Sequence, residues 1–462
     1  MSPSDRIDGL FPRVSAPMPG ALSTSYGEKL GSLESVSISG IGKGFAPIVL
    51  ASGSGPMLAD LDGNVYLDLT SSFGVATTGY CHPDVAHAVS NQAAMLNHTM
   101  ASIFPHNRYF ELLSLLLAKT GRSPDTQVVL TTSGSEAVEV ALKLSNCYSG
   151  KPGVIAFSGS FHGQTLGSLS VTSINEFRDR FSPLIGGNVV FLPYPSAYRP
   201  SWGADASNVV EACLSAIETV LRHDRVGGPE IGCILVEPML NAGGYVLPPP
   251  AFLPELRRLA TQYNALLIAD EIFTGFGRTG HWLLSDATNT APDIICVGKS
   301  MTGGMPLAAC LATREVMDAM RSPGLVPLHG TTYMANPICC AAAIANITIL
   351  DRDGLIDRAQ QLGGRIQTAL SELPGVCDRI GDVRGTGAAW AIEFVTDRVT
   401  KEPDPAFAAT VANRLLQSGI LTLRTGLPFG HVLAICPPLI TTDEQLDFAL
   451  DTLRSAVEQP LS

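Results

Sequence analysis

Few residues of this chain are charged. Asp, Glu, Lys and Arg make up 16% of it, against 45% hydrophobic residues and a mean hydropathy of +0.23. Such a balance belongs to a core-rich globular protein, or to one with a large buried subunit interface. No run of about 18 apolar residues occurs, which excludes a transmembrane helix. The opening MSPSDRIDGLFPRVSAPMPG lacks a basic start followed by an apolar stretch, so no signal peptide is expected. The ten cysteines include no CxxC pair. Most sit in apolar runs (Cys233, Cys296, Cys310, Cys436) and read as reduced, buried thiols of a cytoplasmic protein, with no metal site. There is no basic stripe and the net charge is −12, which argues against nucleic-acid binding. No GxGxxG sits between the first strand and helix, which argues against a nicotinamide-dependent dehydrogenase. Internal repeats and low-complexity tracts are missing as well.

What the chain does have is length and rhythm. At 462 residues it exceeds a single core, so roughly two or three domains are expected. Residues 1–30 are rich in Pro, Ser and Gly and read as a flexible or loosely docked arm. Residues 31–84 contain a hairpin, Met57 to Asp68, turning at Asp62-Gly63. Thr70 to Tyr80 reads as a loop, and His82-Pro83 starts a helix. From 85 to 345 apolar runs at Val128, Val154, Val189, Cys233, Leu266 and Ile294 alternate with helical stretches. That is the α/β rhythm of a mainly parallel, doubly wound sheet, whose sites form at the carboxyl ends of strands. From 346 to 462 the rhythm changes to helices with a few strands, a small α+β domain that the N-terminal hairpin is expected to join.

Two strand ends carry the chemistry. Leu266 to Ala269 delivers Asp270 and Glu271, and Ile294 to Val297 delivers Gly298 and a lone Lys299. Charges beside apolar walls need partners or a ligand. Lysine forms a Schiff base with an aldehyde, and aspartate pairs with a pyridinium nitrogen, so pyridoxal 5′-phosphate (PLP) is the ligand this pair suits. A lysine after a strand is otherwise an ordinary surface residue, and weight comes from the loops. In Thr131-Thr132-Ser133-Gly134-Ser135-Glu136 a strand turns into a helix, which offers amides and hydroxyls to a phosphate, or simply a serine N-cap. In Phe157 to Thr165 a Gly-rich loop carries Phe161, able to stack on a flat ring or to tuck into the core. Glu237-Pro238 sets another carboxylate at a strand end, His329 to Pro337 is a hydroxyl-bearing loop, and Arg384 between glycine-flanked turns suits a carboxylate clamp or the surface.

With these residues in hand, the chain from about 35 to 460 resembles the class III PLP-dependent aminotransferases of fold type I. The most specific motif is LLIADEIFTGFGRTG followed by PDIICVGKSMTGGMPLAA, with TSGSEAVEVALK, FSGSFHGQT, ILVEPM, HGTTYMANP and DVRGTG in the family's order. The resemblance implies a homodimer, or a dimer of dimers, with sites at the subunit interface. It implies Lys299 as the Schiff-base lysine and Asp270 on the pyridine nitrogen. Ser133, Gly134 and Ser135 hold the phosphate, Phe161 and Ile272 flank the ring, and Thr332 reaches the neighbouring subunit's phosphate. Arg384 takes the substrate carboxylate, and Phe73, Gln164 and Glu237 border the substrate. The 4-aminobutyrate branch usually has an arginine where Gln164 stands and a glutamate near Ala242, so that donor is not expected. An amine or ω-amino acid donor with a 2-oxo acid such as pyruvate or 2-oxoglutarate is. The alternatives are a decarboxylating transaminase of the 2,2-dialkylglycine type, against which Phe73 stands where that type has a glutamine, and a non-catalytic protein of the same fold.

Overall fold

The computed structural model describes residues 7, 9–35, 48–122, 124–201, 203–222, 227–324 and 327–459. Its centre is a seven-stranded sheet in the order Thr126–Thr131, Ala308–Thr313, Ile294–Val297, Leu266–Asp270, Ile231–Val236, Gly153–Phe157, Val189–Leu192. The last five of these are joined by parallel pairing, and Ala308–Thr313 runs antiparallel to both its neighbours. The central strands are continuous apolar runs because both faces of the sheet are covered. Ile268 and Ile294 meet Ala137, Val140, Ala141 and Leu144 of the helix Gly134–Ser149 on one face. Leu267 and Ile234 meet the helices Val209–Arg222 and Phe252–Gln262 on the other.

Ala308–Thr313, reading AACLAT, is absent from the sequence-based strands. Alanine is a weak strand former, and the segment lacks the β-branched density that marks its neighbours. Two full ladders, to Thr126–Thr131 and to Ile294–Val297, impose the strand from outside.

The carboxyl-terminal region builds an antiparallel sheet in the order Ile380–Thr386, Ala389–Phe394, Val432–Ile435, Leu423–Thr425. The helices Leu355–Glu372, Pro405–Gln417 and Asp443–Glu458 cover it, the last begun by a Thr442–Gln445 capping box. A third sheet contains the hairpin Met57–Asp60 and Val65–Asp68, and the short strand Ile420–Leu421 pairs in parallel with Val65–Asp68. That ladder ties the N-terminal hairpin to the C-terminal region.

Of the two states expected for the arm, flexible or loosely docked, its described residues show a docked one. Arg13 and Val65 exchange backbone hydrogen bonds of 2.8 Å, and Asn64 Oδ1 accepts from the Ser15 and Ala16 amides at 2.9 Å. Asp62 accepts from Leu22 N at 2.7 Å and Ser23 N at 2.9 Å, at the start of the helix Ala21–Leu33, where a carboxylate is favoured. The arm's own composition hides this, because its partners stand some forty positions further along. Residues 1–6, 8 and 36–47 of the arm and the segment after it lie outside the described residues.

Candidate active site

Asp270 and Lys299 close the carboxyl ends of two strands that pair in parallel, Leu266–Asp270 and Ile294–Val297. Asp270 is buried and held from two sides. His162 Nδ1 donates to its Oδ2 at 2.7 Å and the Ile272 amide donates to its Oδ1 at 3.1 Å. Nδ1 therefore carries the ring proton, and His162 Nε2 has no hydrogen-bond partner among the described residues. The neighbouring Glu271 is a structural anchor. It accepts from Ser285 N at 2.6 Å and from the Thr274 hydroxyl, and so pins its own loop.

Lys299 opens a short 3₁₀ turn at φ +41°, a conformation disfavoured for any residue with a Cβ. Its Nζ lies 5.0 Å from the centre of the Phe273 ring. Burial pushes the Lys299 amine below the ordinary lysine range, and Asp270 and Glu237 pull the other way. A less basic lysine spends more of its time as the neutral nucleophile.

Gly134, Ser135, Phe161, Glu237, Asp270, Ile272 and Lys299 line one cavity of about 190 Å³, together with His162, Gly163, Asn241 and Phe273. At its far wall the helix Gly134–Ser149 begins. Its first two amides, of Gly134 and Ser135, have no partner among the described residues. A Cβ at position 134 would come within 2.9 Å of Ile272 Cδ1, so Ile272 would have to shift to admit one. Ser133 stands behind the wall as the N-cap, accepting from Glu136 N at 3.2 Å. Of the two readings of this serine the cap is the one its side chain adopts.

Glu237 joins two loops across the cavity. Its Oε1 accepts from Phe161 N at 2.9 Å and its Oε2 from Asn241 N at 3.0 Å. Burial raises its carboxyl to about 7, from an ordinary value of 4.5. In this range the native state binds a proton that the unfolded chain releases. The stabilising contribution is thus full below pH 4.5 and is lost as pH rises through about 7. Glu237→Gln is expected to flatten the dependence of unfolding free energy on pH across that window, measured by urea titrations at stepped pH. An unchanged slope means that Glu237 is not its source.

The remaining sequence-named residues lie elsewhere in the chain. Phe73 is 65% exposed, and Gln164 and Thr332 are exposed too. Arg384 does not line this cavity. Its Nη1 lies 2.7 Å from both Asp382 Oδ2 and Glu393 Oε2, and its Nε donates to Gly244 O at 2.7 Å. It faces a neighbouring cavity of about 520 Å³ with Arg199 and His431. In this arrangement the guanidinium is paired with two carboxylates, and a substrate carboxylate would have to displace one of them to be clamped. The glycines beside it are there for packing. A Cβ on Gly387 would stand 2.3 Å from the Thr279 carbonyl carbon, so the DVRGTG turn is wedged against the GFGRTG loop.

His162, Asn241 and Phe273 were not assigned roles from sequence. His162 was visible as the histidine of FSGSFHGQT, but its partner Asp270 lies 108 positions away. Phe273 had only its place in DEIFTG as a signal, and Asn241 had none.

The donor set fits PLP: an anchored carboxylate, a half-buried lysine of lowered basicity, open amides at a helix N-terminus, and an aromatic and an aliphatic side chain on the same cavity. A doubly wound sheet holding such a cavity at its strand ends defines a PLP enzyme of fold type I. The aminotransferase class-III family model matches residues 40–457, and the chain belongs to that family. It is 33% identical over 457 residues to an alanine/serine racemase of Pyrococcus horikoshii, covering 98% of this chain and 94% of that one. It is 35% identical over 420 residues to a 4-aminobutyrate aminotransferase of Mycobacterium leprae, covering 88% and 90%. Among solved structures, a PLP-bound amine transaminase from an uncultivated Pseudomonas species superposes with a TM-score of 0.82 at 29% identity, covering 89% of this chain and 94% of that one. The protein is thus a class III aminotransferase and PLP is its cofactor.

Proposed function

We propose that this aminotransferase takes its amino group from an amine or an ω-amino acid, not preferentially from 4-aminobutyrate, and passes it to a 2-oxo acid such as pyruvate or 2-oxoglutarate in a ping-pong cycle. The observation that carries the chemistry is the meeting of Lys299 and Asp270 in one cavity at adjacent strand ends. When bound, PLP supplies an aldehyde that takes up amines and a protonated pyridine that draws electrons. Asp270, braced by His162, holds the proton on the ring nitrogen. The Gly134 and Ser135 amides hold the phosphate. Phe161 and Ile272 flank the ring and keep water out. Lys299 Nζ, freed when the substrate amine takes its place, would carry the proton from the substrate carbon that bears nitrogen to the former aldehyde carbon in the first half of the cycle, and would run the reverse transfer in the second.

The donor preference rests on charge. Among the described residues the cavity lining holds no arginine, Gln164 is uncharged, and Arg384 is paired elsewhere. Relatives named for 4-aminobutyrate and 5-aminovalerate stand on the other side of that argument. A donor panel of amines, diamines, ω-amino acids and α-amino acids against both oxo acids decides it. The expected result is a higher kcat/KM for a donor without a second charged group. A kcat/KM for 4-aminobutyrate above every amine in the panel overturns the preference.

The active form is read as a cytoplasmic homodimer. Met95, Met100, Ile103, Phe104, Phe110 and Tyr333 are all exposed in the single chain, an apolar surface of the kind a second subunit covers. Thr332, exposed and next to Tyr333 in sequence, would reach the neighbour's cofactor in such a dimer. Racemisation is a second reading, favoured by the near full-length match to the alanine/serine racemase. Incubating L-alanine without an oxo acid separates the two: D-alanine formation supports racemisation, and its absence supports transfer. Carbon dioxide release from 2-aminoisobutyrate tests the decarboxylating alternative in the same panel.

A further inference from the structure

Asn346 lies in the middle of the apolar helix Pro337–Arg352 and is fully buried. Asparagine is a weak helix former, and a buried amide is costly unless every polar atom is used. Here both ends are used. Asn346 Nδ2 donates to the carbonyl of Ser300 at 2.8 Å, and Asn346 Oδ1 accepts from the Thr78 hydroxyl at 2.8 Å. The two bonds fix which way the amide points. Thr77 Oγ1 adds a donor to the same Ser300 carbonyl at 3.3 Å. Ser300 Oγ in turn donates to Gly74 O at 2.9 Å. Ser300, Thr77 and Thr78 are as buried as Asn346.

What this cluster holds is strained on both sides. Ser300 follows Lys299, whose φ is +41°. Gly74 ends a run, Ser71 to Gly74, in which all four residues have positive φ (45°, 49°, 61° and 83°). Such conformations persist only where the surroundings over-determine them. The run is also tied to the small domain through Ser71 Oγ, which donates to Cys436 O at 2.7 Å.

We propose that Asn346 is a positioning residue for Lys299. It grips the Ser300 carbonyl and, with Thr78, holds the lysine's backbone in the left-handed turn that aims Nζ into the cofactor cavity. The proposal rests on the reading of Lys299 as the residue that captures PLP. Neither Asn346 nor Thr78 lines the cavity, so both act through the Lys299–Ser300 backbone.

The test uses the full chain with Asn346→Asp, Thr78→Val and Thr78→Ser. Asparagine to aspartate keeps the shape and loses the donor to Ser300. Threonine to valine loses only the hydroxyl that orients the amide, and threonine to serine restores it. Each protein is stripped of cofactor and PLP is added back. Covalent capture by Lys299 is followed by visible absorbance and by borohydride trapping with peptide mass analysis, and kcat and KM are measured separately. Asn346→Asp is expected to slow capture and lower kcat by about tenfold, the worth of one hydrogen bond, with the donor KM little changed. Thr78→Val shows the same pattern more weakly and Thr78→Ser behaves as the parent. Parental capture and kcat in Asn346→Asp and Thr78→Val overturn the proposal. So does a lowered melting temperature with capture unchanged, and so does Thr78→Ser failing as Thr78→Val does. If Asn346→Asp does not fold, Thr78→Val decides. Lys299→Ala with full activity instead overturns the reading of the lysine itself, and leaves the hydrogen-bonded cluster as architecture.

Discussion

Lys299→Ala is expected to lower kcat by at least about a thousandfold, since it removes both the amine that captures the cofactor and the base that moves the proton. The contacts proposed for PLP with Asp270 and the Gly134 and Ser135 amides remain, so it is expected to bind still, without a covalent link. Two measurements check this. Steady-state rates with the best donor give the loss of turnover. Borohydride treatment followed by peptide mapping gives the attachment: the parent carries a reduced adduct on the peptide containing Lys299, and the variant carries none. The half-buried position of Lys299 and the burial that lowers its basicity support the choice of this lysine over any other. A variant that turns over at the parental rate would sink the mechanism, and an adduct at another lysine would move it.

Asp270→Asn is the second large effect. The substitution keeps volume and keeps an oxygen to accept from His162 Nδ1, now at 2.7 Å from Asp270 Oδ2, so the local fold is expected to stand. What it removes is the negative charge at a site 5% exposed, where water does little to replace it. Without that charge the ring nitrogen holds its proton poorly, and the electron-drawing character on which the proton transfer by Lys299 relies is weakened. The expected fall in kcat/KM is roughly 10²–10⁴-fold, the range found when a preorganised charge or its orienting partner is taken away. Single-turnover rates separate this from a mere loss of cofactor, which is assayed by equilibrium binding of PLP. A fall smaller than about threefold at saturating PLP would show that Asp270 does not face the ring nitrogen.

The two residues differ in how their settings were legible. Both close short apolar runs, and the alternation of such runs with helices is a local pattern that sequence displays directly. That the two runs are adjacent strands is a fact of strand order, which the ladder between Ile268 and Ile294 supplies. The turn at Asp62-Gly63 and the Pro83 helix start were equally plain, since each depends on residues within a few positions. The Ala308–Thr313 strand was not, because its partners and not its own residues make it a strand. The docked arm was not, because Asp62 and Asn64 are remote from it in sequence.

Sequence by itself determined which residue types stand at the centre of this protein: a lysine and an aspartate at strand ends, a helix N-terminus, and an aromatic, all on one cavity in the fold. Those are properties of side-chain type and local periodicity. Tertiary structure alone decided the pairings. It joined His162 to Asp270 across 108 positions, tied Asn346 to the turn after Lys299, and brought Arg384 beside Glu393 of the neighbouring strand. The physical reason is one and the same. A hydrogen bond or ion pair depends on which strand lies beside which, and that order is written in no single stretch of the chain.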